Sequence, residues 1–409
     1  MSNLFTARRL AMVALALVVL AGGIIAPYAW SGSHALRPGL KGCGMIRNAD
    51  PRIECIRNHV LASVKKDGLK AALVELDSMP RSPQRLSECH AAMHLVGRRI
   101  ARTTKVTGNS LVSGSSAQAC SSGVAHGALE QVVADDPQAL QQTAAAICLH
   151  TRTRREAEAC FHGAGHGLVR AKRPAANNEC SSLRVDGGAG DCLAGASMER
   201  SMRTTATKDI DANVKLARKN CAGDNDIIVA CYVYFPYAVL PPGVDWTLRR
   251  YVDVCNRYAR PGAESWGCPH RSSNTVKSRD EIDGCTRLKS DIAVQVCAAS
   301  IAAESDAGQL PTPKAVAFCT SHKAVAFGCG AGIGRVFRWK STPTTPLMRV
   351  ADTCKAIPAG DVRDGCVAGA SACWFPERVD RSGSECRAVK LPSPLMAELH
   401  RFNPSQTNA

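Results

Sequence analysis

The sequence predicts an all-α fold: a disulfide-stapled array of helical hairpins, α-solenoid-like, following an N-terminal membrane segment. Three observations lead there. Twenty cysteines lie beyond an apolar N-terminus, and eighteen of them recur in pairs about a dozen residues apart. The second members of these pairs return every 30–40 residues or so, the period of helical repeats. Between them the chain carries helix starts and few alternating strand patterns.

Residues 1–35 are expected to be a signal-anchor or a signal peptide. Arg8 and Arg9 precede an apolar stretch from Leu10 to Trp30. Its length is closer to the roughly 20 residues of a spanning helix than to the roughly 7–15 of a cleavable signal. An uncleaved anchor is therefore preferred, with Ser33-His34-Ala35 as the alternative cleavage site. Either way the remainder is expected to be exported, as an inner-membrane-anchored periplasmic protein or an extracellular one. In an oxidising compartment the cysteines become disulfides.

Spacing assigns the pairs as Cys43 with Cys55, Cys148 with Cys160, Cys180 with Cys192, and Cys221 with Cys231. It continues with Cys255 and Cys268, Cys285 and Cys297, Cys319 and Cys329, and Cys354 and Cys366. Cys373 and Cys386 make a late pair, and Cys89 is left to pair with Cys120 across the Gly/Ser-rich stretch 104–119. Each clip is expected to tie the end of one helix to the start of the next. Closing a loop of this size is worth about 3 kcal/mol in the chain-entropy model. No Cys-x-x-Cys occurs, which argues against zinc ribbons, a thioredoxin-like pair and covalently attached haem.

Helices are expected from Ser82-Pro83 to about Arg102, from Asp136-Pro137 to Cys148, and over Lys70–Leu76. Ile227 to Tyr237 is apolar and aromatic and fits either a buried helix or a strand. A glycine stands three residues after Cys120, Cys160, Cys192, Cys329 and Cys366, at Gly123, Gly163, Gly195, Gly332 and Gly369. Inside a helix each costs about 1 kcal/mol relative to alanine. Close helix packing or a ligand against the backbone would supply the reason.

Function is expected to divide along the chain. Residues 36–200 hold histidine-bearing repeats, 201–389 hold cysteine-paired scaffold, and 390–409 form a loose tail. The histidines are His90, His94, His126, His162 and His166. His90 and His94 are four apart, as are His162 and His166, so each pair shares a helix face. His126 and His166 both stand six residues after a second cysteine, so they are equivalent in successive repeats. With the cysteines oxidised, these imidazoles and Glu130 are the candidate ligands of a transition metal ion: zinc, copper or iron. Glu130 and Glu199 are the candidate proton acceptors if the centre is catalytic, and Met198 reads as core. His270 and His322 read as isolated remnants or surface residues.

The alternative is a metal-free periplasmic or cell-surface scaffold for a protein or an anionic polymer. The net charge is +16, from 51 Lys and Arg against 35 Asp and Glu, which suits an anionic partner. Aromatics are only 5%, so specific nucleic-acid binding is not expected. His90-Ala-Ala-Met-His94 lacks the glutamate of His-Glu-x-x-His, and no Gly-x-Ser-x-Gly or Walker A loop is present. Convergence of the five imidazoles on one point favours the metal, and dispersal over several faces favours the scaffold.

Overall fold

Side-chain caps set where several helices begin. Thr153 accepts from the N–H of Glu156 while Glu156 accepts from the N–H of Thr153, a reciprocal box that opens the helix Arg154–Arg170. Asp209, Asp224 and Thr247 cap Ile210–Asn220, Asn225–Tyr232 and Leu248–Tyr258 in the same way on one side. Gly68, at φ 85°, puts a kink inside the helix Ala49–Asp77 that only glycine tolerates readily. The computed structural model describes residues 40–46, 49–77, 83–103, 120–183, 188–203, 207–240, 247–276, 278–304, 312–373, 386 and 389–402. All of them fall in one unit, Leu40–Ala409.

The described residues are all-helical, with no strand. In chain order the α-helices begin with α1 (Leu40–Gly44), α2 (Ala49–Asp77), α3 (Pro83–Thr103), α4 (Cys120–Asp135), α5 (Leu140–Cys148), α6 (Arg154–Arg170) and α7 (Ala176–Ser181). Next come α8 (Gly188–Arg203), α9 (Ile210–Asn220), α10 (Asn225–Tyr232), α11 (Phe235–Val239), α12 (Leu248–Tyr258) and α13 (Ala263–Gly267). The last are α14 (Asp291–Glu304), α15 (Thr312–Ser321), α16 (Ala326–Lys340), α17 (Leu347–Ala351), α18 (Asp361–Ser371) and α19 (Ser393–Phe402). Short 3₁₀ turns include Cys268–Thr275, Arg279–Arg287 and Asp352–Ala356. The ambiguous stretch Ile227 to Tyr237 is thus helical, in α10 and α11. The stretch 390–409, expected to be loose, contains α19. There Leu395 is buried and Glu398 accepts from Ser290 Oγ and the N–H of Ile292.

Nine disulfides join the pairs that spacing assigned from Cys43–Cys55 to Cys373–Cys386, with separations of 10 to 13 residues. Cys89 is disulfide-bonded as well, and the side chain of Cys120 lies outside the described residues. The first cysteine tends to sit at the end of a short helix and the second a turn or more inside the next. Cys148 ends α5 and Cys160 lies within α6; Cys319 lies near the end of α15 and Cys329 within α16.

α3, which carries Cys89, packs on α4, and the helices that carry second cysteines then stack in succession: α4 on α6, α6 on α8, α14 on α16 and α16 on α18. The glycine three residues after the cysteine is the point of contact. A Cβ at Gly163 would lie 2.2 Å from the carbonyl oxygen of His126, one at Gly195 1.9 Å from that of His162, and one at Gly369 2.0 Å from that of Ala331. Backbone meets backbone there, so the glycines serve helix packing.

The stack also returns on itself. The N–H of Arg154 donates to the carbonyl of Ser341 at 2.7 Å, and Arg154 Nη2 donates to the carbonyls of Pro343 and Thr345 at 2.7 and 2.8 Å. Trp339 Nε1 donates to Glu158 at 2.7 Å. These bonds hold the end of α16 against the start of α6, whereas an open solenoid has contacts only between neighbouring repeats. The anchor expected over residues 1–35 lies outside the described residues, among which no helix is long and apolar enough to cross a membrane.

Candidate metal centre

Three stacked helices bring the five histidines together. His90 and His94 project from α3, His126 from α4, and His162 and His166 from α6. Because a glycine sits at each crossing, the helix axes come close enough for imidazoles on neighbouring helices to touch. Ring centroids of His94 and His126 are 3.7 Å apart, those of His126 and His162 4.7 Å, and those of His126 and His166 4.8 Å. His90 Nε2 and His94 Nε2 approach to 2.9 Å.

Two groups can hold an ion: His90 with His94 and His126, and His126 with His162 and His166. Within each group one nitrogen per ring lies within 4.8 Å of the others. Two nitrogens on one tetrahedral zinc at about 2.0–2.1 Å are about 3.4 Å apart, so side-chain movement on the order of 1 Å closes either group onto an ion. His126 belongs to both.

Two carboxylates orient the rings from behind. Glu199 on α8 lies 2.8 Å from His166 Nδ1, and Glu130 on α4 lies 3.4 Å from His94 Nδ1. Each Nδ1–H donates to its carboxylate, which leaves the Nε2 lone pair facing the cluster. His166 Nε2 and His126 Nε2 are buried with no hydrogen-bond partner. An unsatisfied buried polar atom costs about 1–3 kcal/mol, so two of them in one cluster need a reason. Glu130, one of the expected ligands, is engaged on its other oxygen by Arg98 at 2.7 Å and Arg170 at 3.1 Å. Neither ion-holding group includes it.

The electrostatics suit neutral ligands. Burial pushes His126 and His162 well below the ordinary imidazole range, and their histidine neighbours push the same way. Burial also lowers His94, against the opposing effect of the hydrogen bond it donates to Glu130. For Glu130 burial alone would raise the carboxyl, but the His94 hydrogen bond and the Arg98 charge outweigh it and hold it at about 2. At neutral pH His94, His126 and His162 are thus uncharged imidazoles, with the ionised Glu130 beside His94.

The polar interior extends beyond the histidines, through residues the sequence reading passed over. Tyr234 OH is 3.5 Å from His162 Nε2 and accepts from Arg271 Nη2 at 2.8 Å. Arg335 Nη2 lies 3.2 Å from His270 Nε2. His270 is therefore buried within a second polar cluster and is not a surface remnant. His322 sits near the surface, 2.9 Å from the exposed Asp283. A signal was present in the register. Counted from the second cysteine, His162 and His270 both fall at the second position, Tyr234 and Arg271 at the third, His166 and Arg335 at the sixth, and Glu199 and Glu304 at the seventh.

No protein-family model, no curated protein and no solved structure matches the chain.

Proposed function

We propose that the chain is an exported, disulfide-stapled helical repeat protein that binds a transition metal through His90, His94, His126, His162 and His166. The observation that carries this is the convergence of the five imidazoles, with two bare, buried Nε2 atoms among them. Neutral imidazole suits zinc, copper or iron. Glu130 and Glu199 take the role of outer carboxylates that fix ring orientation. Binding ranks above catalysis because Glu130 is already held by two arginines and Glu199 by His166. A metal-free scaffold would not require histidines on three helices to meet.

Nine disulfides support maturation in an oxidising compartment. Residues 1–35 support membrane anchoring, and the +16 charge supports an anionic partner. Resistance of the full chain to alkaline extraction from membranes is the expected result, and quantitative release would refute the anchor. Selective retention of an anionic polymer that survives physiological salt would support such a partner, and its loss at about 0.15 M salt would refute it.

X-ray absorption on the metal-reconstituted protein tests the ligand set. The expected first shell contains nitrogen at about 2.0–2.1 Å with imidazole scattering. A shell containing sulfur at about 2.3 Å, or only oxygen, would overturn the histidine assignment.

A further inference from the structure

Tyr234 stands where other repeats keep a glycine. It is the third residue after Cys231, the offset at which Gly163, Gly195 and Gly369 bring one helix backbone onto the next. In this repeat the helix α10 stops at Tyr232, and Tyr234 lies at its junction with α11. The side chain is buried, 6% exposed, and its ring centroid is 5.8 Å from that of His162. A bulky phenol thus occupies a register position that elsewhere serves only packing, and it does so against a candidate ligand.

The spacing between the two is informative. Tyr234 OH is 3.5 Å from His162 Nε2. That is longer than the roughly 2.6–3.2 Å of a well-formed hydrogen bond. It matches two ligand atoms on one tetrahedral ion, which at about 2.0–2.1 Å from the metal lie about 3.4 Å apart. His126, His162 and His166 supply three of the four ligands such an ion takes. The carboxylates at the cluster are engaged elsewhere, Glu130 by His94, Arg98 and Arg170 and Glu199 by His166 Nδ1. Arg271 Nη2 donates to Tyr234 OH at 2.8 Å, and its guanidinium carbon is 5.3 Å from the ring centroid. A guanidinium on the phenol oxygen fixes that oxygen in place and favours its anionic form.

We propose that Tyr234 is the fourth ligand of an ion held by His126, His162 and His166, binding through its phenolate oxygen. On ligation the phenol O–H bond breaks, the proton leaves to solvent and the oxygen forms its bond to the ion, with no change of oxidation state. An anionic oxygen beside three imidazoles suits zinc, copper(II) or iron(III) and disfavours copper(I), which prefers sulfur. This assignment rests on the metal binding proposed above and selects one of the two histidine groups as the filled one.

Titration of the full chain with copper(II), followed by visible absorption and resonance Raman scattering, tests this. The expected result is a phenolate-to-copper charge-transfer band with tyrosinate vibrations under it. Both are lost in Tyr234→Phe, which keeps the ring and still binds copper through the histidines. Zinc gives a second readout, by calorimetry in buffers of different ionisation enthalpy at about pH 7. A free phenol, with a pKa of about 10, is protonated there, so zinc is expected to release one more proton from wild type than from Tyr234→Phe. Copper bound without tyrosinate vibrations, a band that survives Tyr234→Phe, or equal proton release overturns the phenolate ligand and leaves the histidine site standing. If circular dichroism shows Tyr234→Phe unfolded, the wild-type Raman spectrum decides: tyrosinate vibrations support the ligand and their absence overturns it. Failure of wild type to take up either metal defeats the metal reading and the ligand with it.

Discussion

At the scale of single residues, the site depends on which ring nitrogen is bare. Glu199 holds His166 Nδ1 at 2.8 Å, so removing that carboxylate frees the ring to turn. Glu199→Gln is expected to weaken metal affinity by about 10–100-fold with the fold intact, as competition with a chelator would show. Unchanged affinity would leave Glu199 without an orienting role. The titration behaviour has a sign. His94, His126 and His162 have folded pKa values below the 6.5 of a free imidazole. Below that pH the unfolded chain takes up protons the folded apo chain refuses, so stability falls as pH falls from about 6.5. The contribution is flat above. Melting of chelator-treated protein is expected to be lower at about pH 5 than at about pH 7.5, and a flat or inverted profile contradicts neutral buried imidazoles. The histidines were legible in the sequence because i,i+4 spacing and a fixed offset from a cysteine survive as local patterns. Tyr234, Arg271 and Arg335 stand at comparable offsets, but the residue type there changes from repeat to repeat and the partners come from other repeats, so the register alone did not mark them: Arg271 meets Tyr234 across 37 residues and Arg335 meets His270 across 65.

At the scale of elements, the clip and the glycine work together. The cysteine pairs were legible because each closes a short local loop, and the nine described bridges follow that spacing. The glycines were legible as a pattern but not in purpose, since a helix–helix crossing involves a neighbour about 30–40 residues away. The structure places a carbonyl of the preceding helix where each side chain would go. Gly163→Ala puts a methyl 2.2 Å from His126 O, so α4 and α6 must separate. A loss of about 1–3 kcal/mol is expected in urea unfolding, together with weaker metal binding. Stability unchanged within error would mean the crossing tolerates separation. Removing Cys148 and Cys160 together opens a loop of 12 residues and is expected to cost about 3 kcal/mol.

At the scale of the whole molecule, the return of α16 onto α6 turns a stack of helices into an enclosure with polar side chains inside. The spacing of repeats carries no information on such closure, because it depends on small rotations summed over many crossings. Glu158 accepts from both Trp339 and Arg338 at this seam. Glu158→Ala is expected to cost about 1.5–3 kcal/mol and to enlarge the molecule in small-angle scattering, whereas an unchanged profile would mean that other contacts close it.

Metal analysis of protein matured in an oxidising compartment bears most directly on the central claim. About one equivalent or more of zinc, copper or iron is expected in wild type, with loss in His126→Ala, since His126 belongs to both three-histidine groups. Less than about a tenth of an equivalent in correctly folded wild type, or content unaltered by His126→Ala and by the pair His94→Ala and His166→Ala, would contradict it.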